Sequence, residues 1–334
     1  MVSKNDEIKT IFNSLNFNIN KITEIKTLAN FLVKVGTNKG NYFLKMYNNK
    51  KEARAGHKLA CLYPFLLKNN IPVPGVLKFD DSLKLVKHPY LIITEIEGEM
   101  LCEVINTMNT DDKKSFYYEL GRLIAKIHSI TFKKFGETFD GKTVESYSEA
   151  NYKGPFSNWK DMHKEIINYR LNIFKGSNFE DLIKPISSWF EQNANLIDYK
   201  IVPRLLHIDL NQKNIFLKNN KISGIIDFDD AFVGHNEEEL MRTEGANFSN
   251  NNNNNNNLRQ SFFKGYTEII KLDDNYEQRR KYYYFARLLV HTDCIIQYGD
   301  NYVNVEKEQQ IVKKEMLKLL NNKQTKFDKN KRNT

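Results

Sequence analysis

The chain has 334 residues, with 50 Lys and Arg against 41 Asp and Glu, and a formal net charge of +9. Hydrophobic residues make up 40% of it and aromatic residues 12%, which indicates a globular protein and excludes a disordered one. The lysines are spread along the whole chain. The positive charge therefore does not indicate a nucleic-acid partner, which would need a clustered patch.

The cysteines and the apolar segments narrow the class further. Cys61, Cys102 and Cys294 are an odd number without a CxxC pair, so the sequence predicts neither a disulfide framework nor a zinc site. The N-terminus has no uninterrupted apolar stretch of the kind that marks a secretory signal. No window reaches the ~18 apolar residues that a membrane span needs. We therefore expect a cytoplasmic protein without a membrane partner.

The first hundred residues have the pattern of a small β-sheet with one helix. Residues 20–47 alternate between apolar and polar side chains in three short stretches separated by polar turns, which predicts strands. Residues 50–70 are typical of a helix, in which Pro64 should produce a bend or a break. Residues 88–98 are typical of a buried strand that ends in a turn at Gly98.

Helical patterns dominate the chain after Gly98. Residues 110–130 begin with capping signals and keep an apolar stripe at helical spacing, and other segments share that spacing. These further helical segments are 159–175, 179–195 and 258–321. We therefore predict an α+β fold with an N-terminal lobe at 1–97 and a mostly helical C-terminal lobe at 98–321.

Two low-complexity or charged segments are expected to lack structure. The asparagine run at 250–257 predicts a disordered loop over residues 249–257. Residues 322–334 carry part of the excess positive charge and are typical of a solvated basic tail. We expect neither segment to carry chemistry.

Between residues 205 and 230, carboxylates interrupt two apolar stretches. These stretches flank the polar turn 218–221, which predicts a β-hairpin. A turn centred in that segment places Asn214 opposite Ile225, with Asp227 two residues, roughly 7 Å, farther along the partner strand. The hairpin thus brings an amide oxygen and a carboxylate to its open end, and Asp209 lies in the loop that leads into it.

This set of side chains suits phosphoryl transfer. Asn214 and Asp227 would form a weak site for Mg²⁺, which proteins hold through one or two oxygens together with substrate phosphates. Asp209 then remains to orient a hydroxyl or to accept its proton. Positioning and charge neutralisation supply most of the catalysis in phosphoryl transfer.

The phrase LLHIDLNQKNIF followed by GIIDFDDAFVGHNEEEL resembles the aminoglycoside phosphotransferase and choline kinase group. The pattern of that group runs roughly HGDxxxxN, IDFxxA and GDxxxDLA, and the hygromycin phosphotransferase branch looks nearest because its last acidic position can also be Glu. The resemblance implies a two-lobed protein-kinase-like fold, with a small, mostly antiparallel β N-lobe and a larger, mostly α C-lobe. It also implies ATP and Mg²⁺ as cofactors.

The resemblance assigns roles to residues of the catalytic segment. Asp209 would be the catalytic base, and Asn214 and Asp227 would hold Mg²⁺. His207 would support the catalytic loop, and Glu239 would be the structural acid of the last motif.

The resemblance extends to the nucleotide side. Lys45 would be the strand lysine that grips the α- and β-phosphates. Glu52 is the acid of the 50–68 helix and the candidate partner of Lys45, although a solvated glutamate in a charge run is an equal alternative. The backbone of Thr94 and Ile96 would meet adenine at the hinge.

Three features depart from the family pattern. Ile208 replaces a small glycine and is expected to crowd the catalytic loop, and His235 stands where the last motif has its first Asp. No Gly-rich phosphate loop is visible, since Gly36 is the one glycine of its stretch. These departures leave a non-catalytic, nucleotide-binding member of the family open.

The favoured function is transfer of the γ-phosphate of ATP to a hydroxyl of a small, cationic molecule, such as an aminoglycoside-like antibiotic, an amino alcohol or a sugar. The acids Asp229, Asp230 and Glu238 are the candidate substrate contacts. For the two aspartates an extended metal site is an alternative, and a hydrated loop acid is the interpretation that the sequence favours. A protein kinase is the nearest rival, but the sequence lacks the Arg of HRD and an APE-like segment. We expect a monomer or a dimer.

Overall fold

The structure is a computed structural model that describes residues 3–27, 30–248, 253–299 and 304–321. The chain divides into two compact units. Unit 1 comprises Met1–Lys133, Glu137–Glu145 and Pro203–Leu272, and unit 2 comprises Lys134–Gly136, Ser146–Val202 and Asp273–Thr334. The predicted lobe boundary near Gly98 lies inside unit 1, so the division into lobes at that residue stays a prediction.

The N-terminal part of unit 1 is an antiparallel sheet with two helices. Its elements are α1 (Lys4–Ser14), β1 (Ile19–Ile25), β2 (Phe31–Thr37), β3 (Gly40–Met46), α2 (Ala53–Lys68), β4 (Val76–Asp80), β5 (Tyr90–Thr94) and β6 (Glu99–Met100). Five of these strands pair in the order β1-β2-β3-β5-β4, all antiparallel. The predicted strands and helix are confirmed, and α2 runs through Pro64 without the break that its proline suggested.

Alternation along the strands explains the core of this sheet. Every second residue of β2 is buried, so Val33 and Val35 face inward, and Leu44 and Ile92 do the same from β3 and β5. α1 covers this face with a cluster of apolar side chains that includes Phe12. The sheet is therefore sealed on one side before the chain reaches the helical region.

The middle of the chain is mostly helical, as the spacing predicted. Its elements are α3 (Leu101–Val104), α4 (Thr110–His128), β7 (Gly136–Glu137), α5 (Trp159–Ile173) and α6 (Ile183–Gln192). In unit 2, the Trp159 indole donates to the Tyr283 hydroxyl at 2.8 Å, and Arg170 pairs with Glu149 and Asp293. These buried polar contacts thus join residues of the same unit.

The C-terminal part begins with the strands of the candidate site. Its elements are β8 (Arg204–Leu206), β9 (Ile215–Lys218), β10 (Lys221–Ile225), β11 (Phe232–Gly234), α7 (Asn236–Asn247), α8 (Asn253–Thr267), α9 (Tyr276–Tyr298) and α10 (Val305–Asn321). β9 pairs with both β10 and β6, and β8 pairs with β11, all antiparallel. The mostly helical character of the chain beyond Gly98 is confirmed.

α4 and α8 pack with their backbones in close approach, which glycine makes possible. A Cβ on Gly121 would lie 2.0 Å from the Phe262 carbonyl oxygen, and one on Gly265 would lie 2.0 Å from the Tyr118 carbonyl oxygen. Any larger residue at either position would force the helices apart. This contact anchors α8 within unit 1.

The asparagine run is not a loop throughout. Residues 253–257 form the first turn of α8, so the predicted loop is wrong for them, whereas 249–252 lie outside the described residues. Packing of the following turns, including buried Leu258, outweighs the modest helix propensity of asparagine. The predicted tail at 322–334 also lies outside the described residues.

Among the helices of the described chain, none combines the length and apolarity that a membrane span requires.

Candidate functional site

The β9–β10 hairpin turns through two asparagines. Asn219 and Asn220 have φ angles of 53° and 58°, the left-handed conformations that a two-residue type I′ turn needs. Leu217 pairs with Ile222 next to this turn, as the predicted centre of the turn requires. Asparagine tolerates positive φ better than most residues, so the local sequence explains the hairpin.

Beyond the turn the predicted register is wrong by one residue. A β-bulge between Ile222 and Gly224 adds one residue to β10, so Ile225 pairs with Ile215. The Ile226 N–H then donates to the Asn214 carbonyl oxygen at 3.0 Å. Asn214 therefore lies opposite Ile226 rather than Ile225, and Asp227 is the next residue instead of the second along. The bulge brings the two candidate metal ligands closer in register.

The bulge coincides with a close contact to the hinge. A Cβ on Gly224 would lie 2.4 Å from the Ile96 Cδ1, so glycine leaves the space that the Ile96 side chain fills. The Ile225 N–H is directed to the Pro72 carbonyl oxygen, at 2.8 Å. This hydrogen bond therefore fixes the bulged strand β10 to the segment that follows α2.

The catalytic loop folds onto the side chain of Asn214. Its amide nitrogen donates to the carbonyl oxygen of Asp209 at 2.9 Å and to Asp209 Oδ2 at 3.1 Å. The Asn211 amide donates to the same carboxylate oxygen at 3.1 Å. Asp209 is exposed, whereas Asn214 is 7% exposed. With its nitrogen committed, Asn214 has its amide oxygen left for another partner.

His207 connects the loop to the end of the hairpin. Its Nδ1 accepts from the Asp209 N–H at 3.3 Å, and its Nε2 lies 2.7 Å from the Ile226 carbonyl oxygen. Because Nδ1 accepts, Nε2 carries the proton and donates. The ring is fully buried and packs on Phe228 with centroids 4.2 Å apart. Through these contacts His207 links the loop that carries Asp209 to the two residues that flank Asp227.

Glu239 supports His207 from the first turn of α7. Its Oε2 accepts from the His207 N–H at 2.8 Å and from His128 Nε2 at 3.0 Å, with both side chains buried. Burial opposes ionisation of Glu239. The His128 ring and the His207 N–H outweigh that effect and hold the pKa of Glu239 below its ordinary value. This is the geometry expected of a structural acid.

Ile208 adopts a conformation that explains why glycine suits its position. Its φ is 70°, in the left-handed region that β-branched residues rarely occupy, and its side chain is 6% exposed. The predicted difficulty at Ile208 was crowding by the side chain. The structure shows instead that the strain lies in the backbone conformation of Ile208, which costs about 1–2 kcal/mol of folding free energy.

The turn after β10 carries Asp227 and Asp229. Asp227 has a left-handed φ of 72°, and residues Phe228–Asp230 form a single 3₁₀ turn. Asp227 is exposed as a residue, but partial desolvation of its carboxyl and then the neighbouring Asp229 charge raise its pKa, while Lys45 acts in the opposite direction. Like charges that meet in this way favour a bound cation.

Lys45 pairs with Asp229 instead of the predicted helix acid. The Lys45 Nζ lies 2.6 Å from Asp229 Oδ2, and both side chains are about one-fifth exposed. Glu52 lies at the start of α2, where its carboxylate accepts from the amides of Asn48 at 2.9 Å and Asn49 at 2.8 Å. The predicted Lys45–Glu52 pair is therefore not formed, because Glu52 is used at the helix terminus.

The candidate acceptor acids differ in exposure. Asp230 is exposed, but Asp229 has one oxygen on Lys45 and the other, Oδ1, is buried without a hydrogen-bond partner. Glu238 is 4% exposed and bonded to Arg242 at 3.2 Å. The hydrated-acid alternative is thus wrong for Asp229, and the prediction that Glu238 meets an acceptor conflicts with its burial in α7.

The hinge backbone is partly committed. The Thr94 N–H donates to the Gly75 carbonyl oxygen at 2.8 Å, and the Glu95 N–H donates to the Asn41 carbonyl oxygen at 3.2 Å. An adenine contact at Thr94 would therefore have to use its carbonyl oxygen. Ile96 lies two residues after Thr94, and its side chain contacts the bulged strand at Gly224.

Three residues near the site escaped the sequence analysis. Lys58 and Tyr63 of α2 bond to the Asp227 turn, and Glu137 pairs with Lys58 at 2.7 Å. The one available signal was a lysine four residues before Leu62 on the buried stripe of α2. That pattern alone does not indicate a partner.

The donor set fits Mg²⁺ held together with phosphates. Across the described residues, no three His, Cys, Asp or Glu side chains group closely enough to hold a metal by themselves. Asp227 and the amide oxygen of Asn214 supply the few hard oxygens that Mg²⁺ takes from proteins. Desolvation and, after it, the neighbouring Asp229 charge raise the pKa of Asp227, and a bound divalent cation would oppose both effects.

Comparison with known proteins identifies the family. A model of the phosphotransferase enzyme family, APH, matches residues 21–282. No curated protein sequence matches the chain.

Solved structures share the fold at low sequence identity. A thermostable mutant of aminoglycoside phosphotransferase APH(4)-Ia, in ternary complex with ADP and hygromycin B, has a TM-score of 0.68 at 15% identity, covering 93% of this chain and 97% of that chain. ADP-bound APH(2'')-Ib has a TM-score of 0.64 at 18% identity, with coverages of 95% and 96%. A putative fructosamine-3-kinase from Haemophilus somnus 129PT has a TM-score of 0.62 at 18% identity, with coverages of 92% and 95%.

These likenesses confirm the predicted protein-kinase-like fold, with an antiparallel β N-terminal sheet followed by a mostly helical region. The predicted resemblance to the aminoglycoside phosphotransferases is confirmed as well. The family match covers most of the chain and includes every residue of the site described above. The chain belongs to the phosphotransferase enzyme family and is a small-molecule kinase.

Proposed function

We propose that this kinase transfers the γ-phosphate of ATP, with Mg²⁺, to a hydroxyl of a small, cationic molecule. The convergence of Asp209, Asn214 and Asp227 carries the proposal. Asn214 bonds to Asp209 through its amide nitrogen and lies one residue in register from Asp227. One amide thus joins the candidate base to the candidate metal site.

The two sides of Asn214 divide the chemistry. Its amide oxygen and the Asp227 carboxylate would hold Mg²⁺, which would neutralise and orient the phosphates. Asp209 is exposed, so it can accept a hydrogen bond from an acceptor hydroxyl and take its proton. Asn211 and Asn214 keep that carboxylate oriented through the bonds at 3.1 Å.

The nucleotide would be bound on the side of β3 and the hinge. Lys45 projects from β3 to within 2.6 Å of Asp229, beside Asp227, where the phosphates of a metal-bound nucleotide would lie. The backbone of Thr94 and Ile96 would meet adenine. Structural neighbours were solved with ADP, with ATP and with GDP, which supports a purine nucleotide as the donor.

A cationic acceptor is supported by acids around the base. Asp230 ends the turn that begins at Asp227, and both Asp230 and the candidate base Asp209 are exposed. Structures of relatives contain streptomycin and gentamicin, and another relative is named as a putative fructosamine-3-kinase. Amine-bearing antibiotics, amino sugars and amino alcohols are therefore the acceptors to test.

An acceptor screen tests the proposal. Purified protein would be incubated with ATP, Mg²⁺ and a panel of aminoglycosides, fructosamines, choline, ethanolamine and sugars, and ADP release would be measured. We expect ADP release that depends on one acceptor class and on Mg²⁺, and that disappears in Asp209→Asn. Binding of ATP without acceptor-dependent ADP release would instead identify a non-catalytic nucleotide binder. Phosphate incorporation into peptides alone would indicate a protein kinase.

A further inference from the structure

Two side chains of helix α2 form hydrogen bonds to the turn that follows Asp227, one at the start of the turn and one at its end. At the start of the turn, the Asp227 N–H donates to the Tyr63 hydroxyl at 3.2 Å. At its end, the Lys58 Nζ donates to the carbonyl oxygens of Asp229 at 2.8 Å and Ala231 at 3.1 Å. Two side chains of one helix therefore fix the short segment that carries the metal-site carboxylates.

The Lys58 ammonium is buried and fully bonded. Its side chain is 4% exposed, and its third partner is Glu137 Oε1 at 2.7 Å. An ammonium has three donors, and one carboxylate with two carbonyl oxygens accounts for all of them. A buried charge is tolerated only with such partners. The hydrogen bonds of Lys58 thus connect α2 to the turn.

Aromatic packing ties the same helix to the middle of the turn. Phe228 is fully buried, and its ring meets Tyr63 edge to face, with centroids 6.1 Å apart. Together with the hydrogen bonds, this contact constrains the backbone from Asp227 to Ala231. The direction of the Asp227 and Asp229 carboxylates follows from that backbone.

We propose that Lys58 is a positioning residue for the metal site. By bonding to the carbonyl oxygens of Asp229 and Ala231, it sets where Asp227 meets Mg²⁺ and where Asp229 meets Lys45. The inference rests on the proposed function, since it concerns the same site. Groups that orient metal ligands typically change metal affinity about 10–100-fold when they are lost.

The alternative is that Lys58 only neutralises Glu137. The two roles separate in a double variant, Lys58→Met with Glu137→Gln, which removes the charged pair together and leaves no buried carboxylate unpaired. Arg54→Met is the matched control. Arg54 bonds to Glu137 Oε2 at 2.9 Å from the same helix, is 53% exposed, and makes no hydrogen bond to the turn within the described chain.

The experiment uses Mn²⁺ and ADP as probes on full-length protein. Circular dichroism and thermal unfolding establish folding, calorimetry in EDTA gives metal-free ADP affinity, and the paramagnetic effect of bound Mn²⁺ gives metal affinity. We expect the double variant to fold, to keep its metal-free ADP affinity, and to lose about 10–100-fold in Mn²⁺ affinity. Arg54→Met should match the wild type in all three measurements.

A folded double variant with unchanged Mn²⁺ affinity would overturn the role of Lys58. A second variant guards against misfolding: Lys58→Arg keeps the charge beside Glu137 but cannot place three donors in the geometry of an ammonium. It too should lose Mn²⁺ affinity, and an unchanged value in it would equally overturn the inference. A wild-type protein that binds neither ADP nor Mn²⁺ would overturn the proposed function itself.

Discussion

The segment 204–231 and helix α2 meet at the same site but reach it differently. The segment brings Asp209, Asn214 and Asp227 together through contacts within one loop and one hairpin. α2 contributes through Lys58 and Tyr63, whose partners lie 171 and 164 positions away along the chain. Local chemistry is visible in residue spacing, whereas the partners of a helix are set by packing.

The charged residues of the two regions also differ from those that the family pattern predicts. α2 was expected to supply an acid to Lys45, but it supplies the buried cation Lys58, and Glu52 serves the helix terminus. The acid that pairs with Lys45 comes instead from Asp229, in the segment itself. The partner of Lys45 thus comes from the turn rather than from α2, while the Lys58 charge is paired with Glu137.

The largest effect is expected in the segment. Asp209→Asn should lower kcat about 10²–10⁴-fold, because it removes the proton acceptor while its side-chain oxygen can still accept from Asn214. Steady-state ADP release with the identified acceptor measures the loss. Thermal unfolding and ADP binding should stay at wild-type values. A kcat within the wild-type range would remove Asp209 from the chemistry.

Substitution of Glu239 tests whether the segment 204–231 depends on its hydrogen bond to α7 for stability. Glu239→Ala should lower the free energy of unfolding by about 3–5 kcal/mol, because it leaves buried His128 and the His207 N–H without their shared partner. Denaturant unfolding measures the change. Glu97→Ala is the control, since the Glu97–Lys218 pair is exposed and should contribute little to stability. Equal effects of the two variants would contradict this role.

The same pair predicts a pH dependence. The pKa of Glu239 is lowered in the folded protein, so its stabilising contribution is present above the ordinary glutamate pKa and is lost as the pH falls through the folded value. The difference in unfolding free energy between the wild type and Glu239→Ala should therefore narrow in acid. A difference that grows as the pH falls would contradict the assignment.

Lys45 and Glu52 test the comparison on the side of α2. Lys45→Met should weaken ATP binding about 10–100-fold, the equivalent of losing one charged hydrogen bond. Glu52→Gln should leave ATP affinity unchanged, because Glu52 bonds only to the start of its own helix among the described contacts. Calorimetry on both variants decides the matter. Equal losses would restore Glu52 as the partner of Lys45.

The smallest effect is expected at Ile208. Because its φ is 70°, the Gly variant should be more stable than the Ala variant by about 1 kcal/mol, the reverse of the usual order. Both substitutions remove the buried side chain, so the comparison isolates the backbone. Unfolding midpoints of the two variants measure it. An Ala variant at least as stable as the Gly variant would argue against strain.

Spacing predicted the features whose geometry is local. The alternation of residues 20–47 gave the strands of the sheet, and the polar turn at 218–221 gave the hairpin with Asn214 and Asp227 at its open end. The one-residue error in register came from the bulge near Gly224. That bulge lies against the Ile96 side chain, which is distant in sequence, so no local pattern predicts it.

Features that depend on tertiary packing were missed or wrong. Glu238 was expected to meet an acceptor, but it is buried in α7, and the asparagines at 253–257 became helical because α8 packs on α4. The pairing of Lys45 with Asp229 spans 184 positions. No spacing rule carries information over that distance without a second sequence for comparison.

The proposed function depends most directly on one metal held by Asn214 and Asp227. A titration of Mn²⁺ into the protein with ADP, in the wild type and in Asp227→Asn, measures this claim. We predict that Mn²⁺ tightens ADP binding in the wild type and has no such effect in Asp227→Asn, while ADP affinity in EDTA is the same in both. Equal tightening by Mn²⁺ in the two proteins would contradict the account.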